Sequence, residues 1–208
     1  MRLFIVRHGE TIENAARIVT GQQGGLLSPK GIEQAGAIAV RLRGQPISRI
    51  YSSDLARAFE TAAILSDALG AETRVDTRLR EQHFGEYEGR PLKALLRQMK
   101  KTGEDFFGLN PPGGERAEIF RDRVHCFFRE IKKMHERDSV IVVTHHGVIT
   151  VLLASLMNKT PEFRSKDLLR HGMILLAEVD AGNAVSLKYS VPAKGHHRWD
   201  TVWEETKG

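Results

Sequence analysis

The sequence predicts an α/β fold, a three-layer sandwich in which a mostly parallel sheet carries helices on both faces. Three observations lead there. A continuous apolar run bounded by charge at 3–6, as a strand buried on both faces requires, is followed by further short strand-like segments at 47–51 and 139–143 among others. Between them lie segments whose apolar residues fall at helical spacing. Capping residues and glycines mark the junctions. Strands that alternate with amphipathic helices make a parallel sheet covered on both sides.

In chain order, Arg2 to Val6 is the first strand, and its carboxyl end delivers Arg7 and His8. Ser28-Pro29 supplies an N-cap and a first-turn proline for a helix whose inner face is Ile32, Ala35, Ile38, Ala39 and Leu42, stopped by Gly44. Ile47 to Tyr51 is the second strand. Ser52-Ser53 caps a helix with Leu55, Phe59, Ala62 and Leu65 inward, ended by Gly70 and carrying Arg57 in its first turn. Thr73 to Thr77 is a weak third strand, and Glu81 lies just past it in the glycine-bearing irregular stretch 79–89. A helix follows from Pro91 to about Lys101, then a loop from Asn110 to Gly114. A long helix presents Phe120, Val124, Phe127, Ile131 and Met134, and Ser139 to Val143 is the next buried strand. Thr144-His145-His146-Gly147 leaves it and opens a helix through Val148 to Met157. Met173 to Val179 and Ala184 to Ser190 form a final hairpin turned at 180–183.

At 208 residues, 41% of them apolar and 27% charged, the chain is expected to form one domain over 1–208, with 195–208 as a loosely packed tail. No apolar run approaches the ~20 residues of a membrane span. The charged Arg7-His8 ends the first apolar run too early for a signal-peptide core, so a cytoplasmic protein that does not engage membranes is expected. A lone Cys126 excludes an intramolecular disulfide and a multi-cysteine zinc site. The net charge of +5 favours anionic partners. Its cations are scattered rather than blocked, so nucleic acid is not among the expected partners.

His8, Arg57, Glu81 and His145 each follow the carboxyl end of a strand, where open α/β sheets bind ligands. Two histidines, two arginines with Arg7, and one carboxylate make a cationic pocket with one acid, as phosphoryl chemistry on a dianion demands. Guanidinium forks neutralise phosphoryl oxygens, a neutral imidazole can attack phosphorus, and a carboxylic acid can protonate the leaving oxygen. A metal site is the rival reading. Against it, Met134-His135-Glu136-Arg137-Asp138 lacks the second histidine of a zincin helix, His8-Gly9-Glu10 lacks downstream cysteines, and arginines repel a cation. Neither a phosphate loop nor a dinucleotide fingerprint occurs. No cofactor is expected. His83, His125, His135 and His171 read as surface or packing residues.

Val6-Arg7-His8-Gly9-Glu10-Thr11 followed by Asn14 resembles the signature of the histidine phosphatase superfamily, the phosphoglycerate mutase-like fold. Further blocks agree in order: 27–35, 51–58 around Arg57, Leu79-Arg80-Glu81 with Phe84-Gly85 and Glu88-Gly89, Gly113-Gly114-Glu115, and Val143-Thr144-His145. The resemblance implies that His8 is the nucleophile and forms a phosphohistidine, that Arg7, Arg57 and His145 bind phosphoryl oxygens, and that Glu81 is general acid and then base. Asn14, Gly21, Glu115 and His146 are implied as substrate-binding positions of the rim. Arg7 and Arg57 would keep His8 neutral. A backbone carbonyl on its Nδ1 would leave Nε2 to attack.

There are departures. His146 stands where the family usually has glycine, Arg116 where serine is common, and 22–26 lacks an aspartate and proline often found there. The expected function is that of a metal-independent phosphomonoester hydrolase acting on a small phosphorylated metabolite. The nearest alternative is phosphoglycerate mutase-type transfer, whose paired arginines and longer insertion are not found between Glu81 and His145. An alternative of another class is a non-catalytic phospho-ligand binding protein.

Overall fold

Leu3 and Ile5 of the first strand are buried among the helices on one side of the sheet, while Phe4 and Val6 are buried among those on the other. That alternation sets the three layers. The computed structural model describes residues 1–105, 108–157, 170–180, 184–190 and 200–204. Its elements are β1 (Arg2–Arg7), α1 (Ile12–Ala15), α2 (Pro29–Leu42), β2 (Ile47–Ser52), α3 (Ala56–Leu69), β3 (Thr73–Val75), α4 (Leu92–Thr102), α5 (Ala117–Met134), β4 (Ser139–Thr144), α6 (His146–Met157), β5 (Ile174–Val179), β6 (Val185–Ser190) and β7 (Asp200–Glu204). Two single 3₁₀ turns, Thr77–Leu79 and Gly85–Tyr87, punctuate the stretch expected as irregular.

The seven strands lie in the order β3-β2-β4-β1-β5-β6-β7. The pairs β3–β2, β2–β4 and β4–β1 are parallel, and β5, β6 and β7 extend the β1 edge by antiparallel pairing. This is the expected α/β architecture, with the C-terminal hairpin supplying the antiparallel edge. Helices α2 and α3 cover one face through Ile38, Ala39, Leu42, Ala58, Ala62 and Leu65. Helices α5 and α6 cover the other through Phe120, Val124, Phe127, Ile131, Val148 and Leu152. A smaller cluster of Val19, Phe84, Leu95, Met99 and Leu109 packs α4 against the segments near Glu81.

Three residues expected inside are exposed: Ile32, Phe59 and Met134. In α2, Gly31 makes the close contact instead of Ile32; a Cβ on Gly31 would lie 2.1 Å from the Glu10 carbonyl oxygen, so the backbones touch there. In α3 the inner stripe is Ala58, Thr61, Ala62 and Leu65, which turns Phe59 about 100° away. Met134 is the last residue of α5. The N-cap of α3 is Leu55, without a side-chain cap, although the Ser53 hydroxyl accepts from the Leu55 amide at 3.2 Å. The short α1, with Thr11 and Asn14 in a reciprocal capping box, was not foreseen. The segment expected as a loose tail contains β7, which pairs with β6. The hairpin turn at 181–183 and the tail residues 195–199 and 205–208 lie outside the described residues. No described helix is long and apolar enough to cross a membrane.

Candidate active site

Four adjacent parallel strands end on one edge of the sheet, and each chain segment leaving them contributes one polar group. After β1, the His8 amide donates to the Thr144 carbonyl at 2.9 Å, which extends the β1–β4 ladder by one residue. The Thr144 hydroxyl donates to the Leu79 carbonyl at 2.8 Å and so ties the end of β4 to the segment that carries Glu81. The Thr61 hydroxyl accepts from the Gly9 amide at 3.1 Å and donates to the Arg57 carbonyl at 2.8 Å, joining the end of β1 to α3. Gly9 has no room for a side chain, since a Cβ would meet the Gly31 carbonyl oxygen at 2.4 Å.

These ties place His8 in a defined tautomer. Its Nδ1 lies 2.8 Å from the Gly9 carbonyl oxygen, which can only accept, so Nδ1 carries the proton. Its Nε2 then holds a lone pair and accepts from Arg57 Nε at 3.3 Å. The Arg57 guanidinium, 2% exposed, also donates to the Gly21 carbonyl at 2.7 Å and to the Gln23 carbonyl at 3.0 Å. His145 is fully buried with its ring centroid 5.1 Å from that of His8, and neither of its ring nitrogens has a hydrogen-bond partner among the described residues. A buried imidazole left so is costly unless something else meets it.

Glu81 accepts from the Gln82 amide at 3.0 Å through Oε1 and from the Gly147 amide at 3.1 Å through Oε2. The site requires glycine at 147, where a Cβ would lie 2.4 Å from Glu81 Oε1 and 3.1 Å from the Phe120 ring. This glycine, in the first turn of α6, follows His146, one position later than the family's usual place.

Electrostatics keep the histidines neutral. The pKa of His8 is held well below the ordinary value, by burial first and then by His145, Arg57 and Arg7. His145 is held well below by burial and then Arg57 and Arg7. His146 is lowered to about 4 by burial and Arg7. Arg7 itself falls to about 10, mainly through burial, with Glu81 opposing the drop. Arg7 and Arg57 act on His8 in the expected direction, and burial is the larger cause.

Arg7, His8, Asn14, Gly21, Arg57, Glu81 and His146 line a cavity of about 340 Å³, and His145 lies beneath it against His8. Glu115 is not brought into it. Its carboxylate pairs with Arg123 at 2.7 Å, beside the backbone that carries Glu81, and it is absent from the described lining of the cavity. The remaining wall is apolar, from Ile18, Val19, Phe84, Leu92, Leu95 and Leu96. Among the described residues, no group of three or more His, Cys, Asp or Glu is placed to hold a metal ion.

Two functional neighbours escaped the sequence reading. His171, read as a surface or packing residue, has its ring centroid 5.2 Å from His8, and burial and Arg7 depress its pKa to about 2. The β1–β5 register, Val6 opposite Ile174, places 171 beside Gly9, so recognising that antiparallel pair would have found it. Gln82 lines the cavity and donates from Nε2 to the Leu109 and Glu115 carbonyls. The other three histidines are as expected away from the cavity; His135, for one, bridges the Tyr51 hydroxyl and Asp138 at 2.8 Å each.

Residues 3–192 match the family model described as the histidine phosphatase superfamily (branch 1). A Yersinia pestis protein named "Probable phosphoglycerate mutase GpmB" is 34% identical over 161 residues, which are 76% of this chain and 75% of that protein. Among solved structures, YhfR of Bacillus stearothermophilus is 30% identical with a TM-score of 0.77, over 87% of this chain and 92% of that one. The α-ribazole phosphatase of Shigella flexneri is 26% identical with a TM-score of 0.74, over 87% and 92% of the two chains. With that match across nearly all its length, and with the strand-end histidines, arginines and glutamate gathered on one cavity, the chain belongs to branch 1 of the histidine phosphatase superfamily.

Proposed function

We propose that this protein is a metal-independent phosphomonoester hydrolase that passes the phosphoryl group of a small phosphorylated metabolite through His8 to water. The observation that carries the reading is the His8 tautomer, with Nδ1 tied to the Gly9 carbonyl and the Nε2 lone pair at the cavity beside Arg57. Nε2 attacks phosphorus, the bond to the ester oxygen breaks, and Glu81 gives that oxygen a proton. A water molecule then attacks the phosphohistidine, loses a proton to Glu81, and releases phosphate with the electron pair returned to Nε2. Arg7 and Arg57 neutralise the charge on the oxygens in both steps. Neither ring nitrogen of His145 has a partner among the described residues, and its ring N–H donates to a phosphoryl oxygen.

Mutase-type transfer uses the same groups and is the second reading, favoured by the name of the Yersinia relative. Hydrolysis is supported by the names of the α-ribazole phosphatase neighbours and by the wall that faces the alcohol. Apart from Arg7 and Arg57, the described lining of that cavity holds no arginine or lysine, and six of its residues are apolar. A glycerate carboxylate there would lose solvation without a cation in exchange.

Rapid quench of turnover should trap an acid-labile, base-stable phosphoryl group on the peptide that contains His8. A label elsewhere, or more than a trace of activity in His8→Ala, overturns the assignment.

A further inference from the structure

A second cavity, of about 390 Å³, lies on the other side of Arg7 and His146 from the first and shares both residues with it. Its described lining includes Arg7, Lys30 and Arg170 against a single carboxylate, Glu10. Glu10 already pairs with Lys30 at 2.9 Å and accepts from Ser28 Oγ at 3.3 Å. Lys30 sits in the first turn of α2 and His146 opens α6, so the positive ends of two helix dipoles add to the field. The imidazoles of His146 and His171 complete the wall as hydrogen-bonding groups. Burial is the larger cause that keeps both neutral; Arg7 adds to it at His146, and Arg7 and Lys30 add to it at His171.

We propose that this second cavity binds an oxyanion of the size and charge of inorganic phosphate, distinct from the phosphoryl group being transferred at His8. Among the described lining, three cationic side chains stand with one carboxylate, a composition that favours an anion over a cation. Imidazole nitrogens beside cations give the donors and acceptors that a tetrahedral oxyanion uses. The alcohol part of a substrate lies against the apolar wall of the first cavity and leaves this one to a separate anion. Because Arg7 faces both cavities, an anion here draws on the same guanidinium that holds the phosphoryl oxygens, and the two occupancies oppose one another. The consequence for catalysis rests on the hydrolase reading above; binding itself does not.

The test is a titration of the full chain with inorganic phosphate, followed by phosphorus NMR or calorimetry, alongside hydrolysis of p-nitrophenyl phosphate at several phosphate concentrations. Lys30→Gln/Arg170→Gln is the comparison, with neither residue in the catalytic set. The wild type should bind two phosphates per chain and show mixed inhibition. The double variant should bind the second roughly tenfold or more weakly, show simple competitive inhibition, and keep its kcat and KM for this monoester within about twofold. If the anion is instead a second phosphate of the substrate, inhibition by free phosphate is purely competitive in both proteins, and KM for a sugar bisphosphate rises roughly tenfold in the variant alone. One phosphate per chain in both proteins, with no change in either kinetic arm, overturns the proposal. A wild type that binds two phosphates but hydrolyses no monoester supports this site and counts against the hydrolase reading.

Discussion

Arg123 reaches from α5 to the segment that presents Glu81, donating from Nη2 to the Glu81 carbonyl at 3.0 Å. The same guanidinium donates from Nη1 to the carbonyls of Arg78 and Arg80 at 2.7 and 2.6 Å, and pairs with Glu115 through Nε and Nη2. Asp54 and Arg80 form a further ion pair across to the residues that precede α3. Glu81 therefore hangs from a backbone that is pinned at three carbonyls, and its carboxylate is aimed by that pinning as much as by its own two amide bonds.

Arg123→Lys keeps the charge and loses the fork. We expect kcat for an alkyl phosphate to fall by about tenfold or more, with KM changed less, and the fold to lose ~1–3 kcal/mol as carbonyls lose their donor. Glu115→Gln should act in the same direction, and a double-mutant cycle should show the two effects to be non-additive. Steady-state kinetics and urea unfolding of the four proteins check this. Full kcat on an alkyl ester in Arg123→Lys would show that Glu81 does not need the clamp.

Four imidazoles around the site, His8, His145, His146 and His171, have folded pKa values below the ordinary one. In the unfolded chain each titrates near ~6.5. Below that pH the unfolded state takes up protons that the folded state refuses, so stability falls as pH falls, by up to ~1.4 kcal/mol per pH unit for each imidazole. The contribution of His146 stops growing near its folded value of about 4, and that of His171 continues to about 2. Urea midpoints should therefore drop between pH 7 and pH 5, and His171→Gln should flatten the slope over that interval. An unchanged slope in the variant would refute its share.

Parallel strands made much of this site legible. In such a sheet every strand's successor emerges on the same edge, so Arg7, His8, Arg57, Glu81 and His145 could be assembled from strand ends alone. His171 could not, because it reaches His8 through an antiparallel pairing between β1 and a strand some 170 residues later, and local periodicity carries no partner information. Arg123 was hidden for another reason. An arginine within an amphipathic helix reads as solvated, and only the path of the 78–81 backbone beneath α5 turns it inward. The pairing of Glu115 was hidden with it, since a carboxylate at a loop end has no way to declare which cation it will meet.

In the proposed mechanism Arg7 and Arg57 supply the positive charge that a metal would, so chelation should leave the rate unchanged. Initial rates with and without EDTA, after dialysis against chelator, measure this directly. Vanadate should inhibit as a mimic of the five-coordinate phosphoryl group. Activity lost to EDTA and restored by zinc or manganese would move the chemistry to a metal.

Glu81→Gln separates leaving-group protonation from charge in the pocket. Glutamine preserves the shape and one acceptor, so either the Gln82 or the Gly147 amide loses its partner and the side chain shifts modestly. Esters of poorly acidic alcohols depend on a proton at the bridging oxygen, and their phosphorylation step should slow by ~10² to 10⁴. p-Nitrophenyl phosphate leaves as a stable phenolate and needs little protonation, so that step should be nearly spared. Its steady-state rate can still fall, because the glutamine cannot take the proton from the attacking water. Burst kinetics resolve the two steps: a full burst followed by slow turnover is the expected result for the aryl ester. Equal slowing of the burst for both ester types would mean that Glu81 shapes the pocket without giving a proton.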